Sequence, residues 1–340
     1  MKRLSFFLII TTLMACSAQV KQGSPEYAED GRRLLKVSSG YPTIANAVKN
    51  SADGDWIIIS PGTYFEKMIE VNKSVTISSE WKLSGDRSKI AETVIDSEDK
   101  TLFIITADGV EVSGLKIING DHSLDISSNV TIMHNHFVNN LDAMSFEGSS
   151  GGYAGYNTVE NDRDDGLDID LRYGGEHRGS NILVEHNTIF NSNDDGIEIR
   201  LYRYADQNLQ YIIRENTITG SKNAGIQIIS YDIFTGKTFR IHHNVISNCK
   251  TGLGCMEGSR TEEDLSGATK MDEKVWFYNN TLVDNQMGAT GGNSIIAINN
   301  VISGNKLGGF KKFGPHSAVV NNLFYMNGAE DFMEINESVF

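Results

Sequence analysis

Positive charge is scarce. Thirty lysines and arginines face 44 acidic residues, for a formal net charge of −14. Nucleic-acid binding rests on neutralising phosphates, so that class is excluded. A polyanionic substrate is disfavoured too, unless a cation or a local basic patch intervenes. Helix is also scarce: from Val71 onwards no stretch holds a long 3.6-residue apolar period, which excludes a helical bundle. The apolar run from Leu4 to Met14 falls short of the roughly 20 residues of a membrane-spanning helix. Proline is rare, at four residues, and tight turns fall to 33 glycines. Of three cysteines, Cys16 belongs to a targeting segment, leaving Cys249 and Cys255 as one disulfide or two thiols. Cys255 follows Gly252-Leu253-Gly254 at an inward strand position, which suits a buried thiol.

What the chain does contain begins with an export signal. Met1-Lys2-Arg3 precedes the apolar run, which ends in Leu13-Met14-Ala15-Cys16. That ending resembles a bacterial lipobox, although Met14 stands where a small residue is usual. The resemblance implies a lipoprotein signal over residues 1–16 and lipidation at Cys16, giving a membrane anchor. With Ser17 after the cysteine, it also implies an outer-membrane address. A secretory peptide cut between Ala15 and Ala18 is the alternative, and the chain is exported either way. Residues 17–40 are polar and aperiodic and read as a tether. Ile44, Ala47 and Val48 then fall at helical spacing after Thr43, a suitable N-cap, with a stop expected near Gly54. Trp56 to Ile59 reads as a strand and Pro61-Gly62 as a turn. A short amphipathic helix before a first strand is what a solenoid needs to cover its open apolar end.

Downstream the chain repeats. One pattern recurs: apolar, any, apolar, two residues, Asn, any, apolar. It shares Asn135, Asn187, Asn216, Asn244, Asn280, Asn300 and Asn322, with Asn157 a weaker member. Asparagine tolerates left-handed backbone in a tight turn, and stacked asparagines hydrogen-bond along the stack. The preceding column holds His134, His186 and His243, but Glu215, Asn279, Asn299 and Asn321 interrupt it, which favours turn residues over a metal site. Spacings of about twenty to thirty-six residues allow three short strands and three turns per rung, rising about 4.8 Å each. From Tyr41 to its end the chain resembles the right-handed parallel β-helix superfamily typified by pectate lyases. The resemblance implies an all-β solenoid over residues 41–340 with a short N-terminal capping helix. That scaffold carries lyases, hydrolases, epimerases and adhesins, so it fixes no function.

Two neighbouring repeats stand apart. NDRDDGLDIDLRYGG starts at Asn161 and NSNDDGIEIRLYRY at Asn191, so Asp164, Asp165, Gly166, Asp168 and Asp170 match Asp194, Asp195, Gly196, Glu198 and Arg200. Leu167, Ile169 and Leu171, like Ile197, Ile199 and Leu201, alternate with period two, which marks a strand with one buried face. The other face carries Asp168, Asp170 and Arg172, then Glu198, Arg200 and Tyr202. Aligning the rungs predicts an outward column of Asp125, Ser145, Asp168, Glu198, Gln227 and Gly254, with Asp142, Asp164, Asp165, Asp194 and Asp195 in the preceding turn. Unit charges about 4.8 Å apart repel by of order 3 kcal/mol at an effective dielectric near 20. Protons, Arg163, Arg172 and Arg200, or a bound cation must offset this. Calcium, which takes about six to eight oxygen ligands, suits the set. Solvated turn chemistry and catalytic carboxylates are the other two readings.

The spacing of Asp164, Asp165 and Asp168, with Asp142 one rung earlier, resembles the calcium motif of family 9 pectate lyases. The resemblance implies calcium on these aspartates, capture of a uronate carboxylate, and removal of the C5 proton by a basic residue. The repeat extends the metal candidates to Asp194 and Asp195. Where that family has its lysine this chain has Glu198; Arg200 on the same face and Lys222 in the next turn are the candidates to replace it. Long turns at 174–179, 205–210, 231–238 and 256–274 are expected on one side, as walls of a groove. Arg172, Tyr173, Tyr202, Tyr204 and Tyr231 at their bases suit sugar binding. The expected activity is calcium-assisted lysis of an acidic polysaccharide, a uronan. A β-helix glycoside hydrolase using Asp168 and Glu198, or a non-catalytic binder of glycan or calcium, are the alternatives.

Overall fold

The computed structural model describes residues 26–148, 150–170, 181–202, 209–231, 234–258, 263–267 and 270–335. Each rung lays one short strand on each of three sheets, of 13, 11 and 11 strands, and successive rungs pair in parallel. The chain is thus the all-β parallel solenoid that its repeats imply. Inward residues stack in register. On the third sheet the line runs Leu124, Met144, Leu167, Ile197, Ile226, Leu253, Ala289, Phe310 and Phe332. Each fully buried aliphatic or aromatic side chain contributes about 1.5–3 kcal/mol by leaving water. The core is therefore one continuous apolar column.

The asparagine column forms a ladder. Asn216 Nδ2 donates to Asn244 Oδ1 and to Val184 O, both at 3.0 Å, and Asn216 Oδ1 accepts from the Asn187 amide at 3.0 Å. The same bonds join Asn135, Asn157, Asn187, Asn216, Asn244, Asn280, Asn300 and Asn322. The left-handed backbone, however, sits one residue earlier. His134, Tyr156, His186, Glu215, His243, Asn279, Asn299 and Asn321 have φ between 54° and 57°. The histidine column is therefore turn geometry, with His134, Tyr156 and His186 stacked at 5.0 and 4.6 Å between ring centroids. A second ladder, at the turn into the third sheet, escapes the sequence pattern because its residue type varies. Asn140 donates to Asp162, while Asn285, Asn305 and Asn327 continue the stack above Cys249.

The N-terminal cap is present. Ile44–Asn50 is a helix whose Thr43 Oγ1 accepts from the Asn46 amide at 3.0 Å, and Ile44, Ala47 and Val48 are buried. It ends before Gly54, at Ser51, whose amide returns to Val48 O. The solenoid starts earlier than Tyr41, which corrects the tether boundary. Arg33–Val37 pairs in parallel with Trp56–Ile59, and Leu35 and Val37 are buried. Five residues are too few for their alternation to show against a polar background. Residues 17–25 lie outside the described residues. Cys249 and Cys255 are free, buried thiols.

Candidate active site on the third sheet

The long connections share one side. In four successive rungs the chain leaves the third sheet after Asp170, Leu201, Ser230 and Glu257 and enters the first sheet at Ile182, Gln210, Thr238 and Lys274. On the third sheet the outer face in question is that of Asp142–Glu147, Leu167–Asp170, Ile197–Leu201, Ala224–Ser230 and Thr251–Glu257. The expected outward column is in register: Asp125, Ser145, Asp168, Glu198, Gln227 and Gly254 are successive partners. Yet this face is covered, with Ser145, Asp168, Glu198 and Gln227 between 0% and 4% exposed.

The glycine of each DDG turn is required by close approach between rungs. A Cβ on Gly166 would lie 2.7 Å from Gly196 O, and one on Gly196 would lie 2.6 Å from Gly225 O. The second aspartate of each turn does what the asparagines do elsewhere. Asp142 Oδ1 accepts from the Asp165 amide at 2.9 Å, and Asp165 Oδ1 accepts from the Asp195 amide at 2.8 Å. Asp195 Oδ1 in turn accepts from the Ala224 amide. This backbone ladder explains Asp142, Asp165 and Asp195 as structure. It leaves the strand-face carboxylates unexplained.

Those carboxylates converge. Ligand oxygens of Asp165, Asp168 and Glu198 lie within 4.8 Å of one another, and a second set joins Asp165, Asp194 and Asp195. Asp168 Oδ1, Glu198 Oε1 and Asp195 Oδ2 are buried without a hydrogen-bond partner. Arg200 Nη2 is 2.6 Å from Glu198 Oε2, off the axis of a hydrogen bond, and its Nη1 is 3.4 Å from Asp170 Oδ2. Among the described residues, the single guanidinium of Arg200 does not balance this many carboxylates. Burial, then the neighbouring acids, push Asp168, Asp165 and Asp195 well above the usual carboxylate range. Burial raises Glu198 to about 8 despite Arg200. Buried carboxylate oxygens with no donor, such as Asp168 Oδ1 and Glu198 Oε1, fit a hard cation such as calcium, and with Asp165 in reach these three are the set that suits one. Asp142 suits it less. Asp142 and Asp164 reach Asp165 within 4.8 Å, but Asp142 Oδ2 is held by His122 Nδ1 at 2.8 Å.

His122 is the site residue that sequence reading missed. It pairs with Asp142, its Nδ1 also lies 2.8 Å from Ser145 Oγ, and the Asp142 bond holds it up to about 9. It therefore sets a second positive charge beside the acidic column, on the side away from Arg200. The only sequence signal is its place two rungs before Asp168, visible once the strands are in register.

Beyond the acids stands an aromatic wall. Tyr202 and Tyr231 stack at 4.4 Å with their hydroxyls 3.1 Å apart, and Tyr231 packs where any side chain at Gly258 would clash. Glu263, from the turn between Glu257 and Lys274, fills the space beside Gly254 and Gln227. Lys222 is exposed in the turn before Ala224 and donates to Asn193 Oδ1. Asp164 and Asp194 are half-buried at the rim, Asp194 accepting from Asn223. Arg172, Tyr173, Tyr204 and Cys16 lie outside the described residues.

The family model described as "Right handed beta helix region" matches residues 82–232, which include the strands from Asp142–Glu147 to Ala224–Ser230. Over that span the chain is similar to this family, and its three parallel sheets have the fold of a parallel β-helix. Among solved structures, the β-helix is similar to the catalytic unit of the thermostable GH87 alpha-1,3-glucanase from Streptomyces thermodiastaticus. The TM-score is 0.57 at 14% identity, over 87% of this chain and 67% of that one. A GH87 alpha-1,3-glucanase catalytic domain in complex with nigerose gives a TM-score of 0.50 at 15% identity, over 91% and 67%. These likenesses speak for the β-helix fold. No curated protein sequence matches the chain at a significant level.

Raised carboxyls make the metal-free β-helix sensitive to pH, with a definite sign. Glu198 keeps its proton to about 8 when folded, against 4.5 as a free side chain. The folded state therefore binds more protons between those values, and stability is lost as pH rises through them. Without added metal, the melting temperature should fall from pH 5 to pH 8. Adding calcium at pH 8 should restore it, as differential scanning calorimetry would show.

Proposed function

We propose that this β-helix is a polysaccharide-active enzyme whose reaction centre is the Asp168–Glu198–Arg200 group. Its substrate is an acidic chain, cleaved by calcium-assisted β-elimination. The observation that carries the reading is the buried set of Asp165, Asp168 and Glu198, whose ligand oxygens lie within 4.8 Å of one another, with Asp168 Oδ1 and Glu198 Oε1 lacking donors. Those three residues would hold the ion. Bound calcium supplies positive charge against the substrate's carboxylate, which acidifies the proton on the neighbouring carbon.

Each of the chain's own groups then has a part. The carboxylates around Arg200 push its pKa up, which disfavours it as the base and suits it to neutralising an anionic substrate. Tyr202 and Tyr231 offer an aromatic wall against which a sugar ring can lie. Lys222, exposed one rung above Glu198, is the remaining candidate for the C5 proton. Residues 1–16 complete the reading as an export signal, with an anchor at Cys16.

A second reading has one observation in its favour. Glu198 at about 8 holds a proton at neutral pH beside Asp168, which resembles the acid of a glycoside hydrolase. A panel of uronans with and without calcium separates the two. Elimination gives ultraviolet absorbance from unsaturated ends that requires calcium. New reducing ends without that absorbance move the assignment to hydrolysis, and binding without either product means a non-catalytic binder.

A further inference from the structure

The first sheet carries a cleft remote from the acidic column. Arg240 and Trp276 are register partners on adjacent strands of its outer face, and Trp276 is followed in register by Ile296. Together with Tyr278, Asn279, Ile298 and Asn299, Arg240 and Trp276 line a cleft of about 300 Å³. That is the lower end of the range for small-molecule sites. Its floor is aromatic and aliphatic, and its rim is cationic and amide. Tyr278 is fixed by stacking on His242 at 4.6 Å. Left-handed turns at Asn279 and Asn299, with φ of 56° and 54°, set two carboxamides on its edge. Lys274 Nζ lies 5.7 Å from the Trp276 ring centroid. Arg240 is exposed and makes no ion pair or side-chain hydrogen bond among the described residues.

Two cations beside one tryptophan, Arg240 on the paired strand and Lys274 over the ring, stand out in a chain of net charge −14. An indole face offers a sugar ring an apolar platform, side-chain amides match its hydroxyls, and guanidinium matches a carboxylate. We infer that this cleft is a second glycan-binding site, taking one uronic acid residue of an acidic polysaccharide over Trp276 with its carboxylate towards Arg240. This rests on the acidic substrate assigned above but not on its cleavage. A docking site apart from the reaction face would hold a long chain near the enzyme by raising its local concentration.

The test separates the two assignments. Binding of a long uronan and of its carboxyl-reduced, neutral form is measured by affinity electrophoresis in the Glu198→Gln background, where turnover is removed. Cleavage of a short uronan oligosaccharide is measured in the otherwise intact protein. Trp276→Ala should weaken binding of the long uronan tenfold or more and leave short-substrate cleavage unchanged, and Trp276→Phe should retain part of the binding. Arg240→Ala should weaken uronan binding without affecting the neutral form. Unchanged uronan binding in a folded Trp276→Ala protein overturns the site, and equal binding of charged and neutral chains overturns the role of Arg240. Loss of cleavage on every uronan with Trp276-dependent binding intact overturns the reaction and leaves this site standing.

Discussion

Glu198→Gln is expected to lower cleavage by about 10²–10⁴-fold, the usual worth of a group that handles a proton or orders the reacting charge. The same change should make the metal-free protein more stable. Glu198 is fully buried, its Oε1 has no donor, and Asp194, Asp164 and Asp142 all press against its charge. Glutamine keeps the shape and removes that repulsion, of order 3 kcal/mol for a unit-charge pair at this spacing. The gain should depend on pH. Near pH 5 the native Glu198 is already neutral, so both proteins should melt alike; above pH 8 the variant should melt several degrees higher. Calcium should raise the melting temperature of the native protein and raise that of the variant much less. Activity and calcium response that survive the substitution would reduce Glu198 to a structural acid, and the site would have to move to the rim residues Asp164 and Asp194.

The solenoid was legible because one geometric demand recurs in every rung. The same turn needs the same carboxamide, and the Asn135-to-Asn322 column follows from it. Register was legible for the same reason: alternating Leu167, Ile169, Ile197 and Ile199 fix which face Asp168 and Glu198 take. Burial was not. An outward residue on a solenoid strand is exposed only if the connections leave it so, and their placement depends on packing such as Glu263 beside Gly254. The double duty of the DDG motif was half legible. Turn chemistry in the sequence accounts for Asp165 and Asp195 as turn residues, but their bonding to the next rung's amide needs three-dimensional neighbours. His122 was invisible for the same reason, since it and Asp142 meet only across strands. The second ladder was hidden because Asn140, Asp162 and Cys249 share a position without sharing a chemistry.

The first ladder, from Asn135 to Asn322, carries a large stability effect. Asn216→Ala is expected to cost about 4–6 kcal/mol in a denaturant titration. Asn216 is 1% exposed and makes four bonds through its side chain, to Val184 O, Asn244 Oδ1, the Asn187 amide and Asn187 Nδ2. Alanine strands the Asn187 amide in the core, at about 1–3 kcal/mol for a buried group without a partner, and loses about 1 kcal/mol for each further bond. Asn322 ends the same ladder half-exposed, where water can replace the carboxamide, so Asn322→Ala should cost much less. Asn216→Asp distinguishes charge from geometry. The second ladder already holds an aspartate, Asp162, whose Oδ1 accepts from the Asn140 amide at 2.9 Å and whose carboxyl burial pushes up to about 8. A protonated aspartic acid can both accept and donate at such a position; an ionised one cannot donate and is desolvated. Asn216→Asp should therefore fold nearly as well as the native chain at pH 5. It should lose stability steeply as pH rises towards 8, because the folded state must hold a proton that the unfolded state has released. An Asn216→Asp protein as weak at pH 5 as at pH 8 would mean that the ladder needs the amide donor itself and that Asp162 is tolerated for another reason.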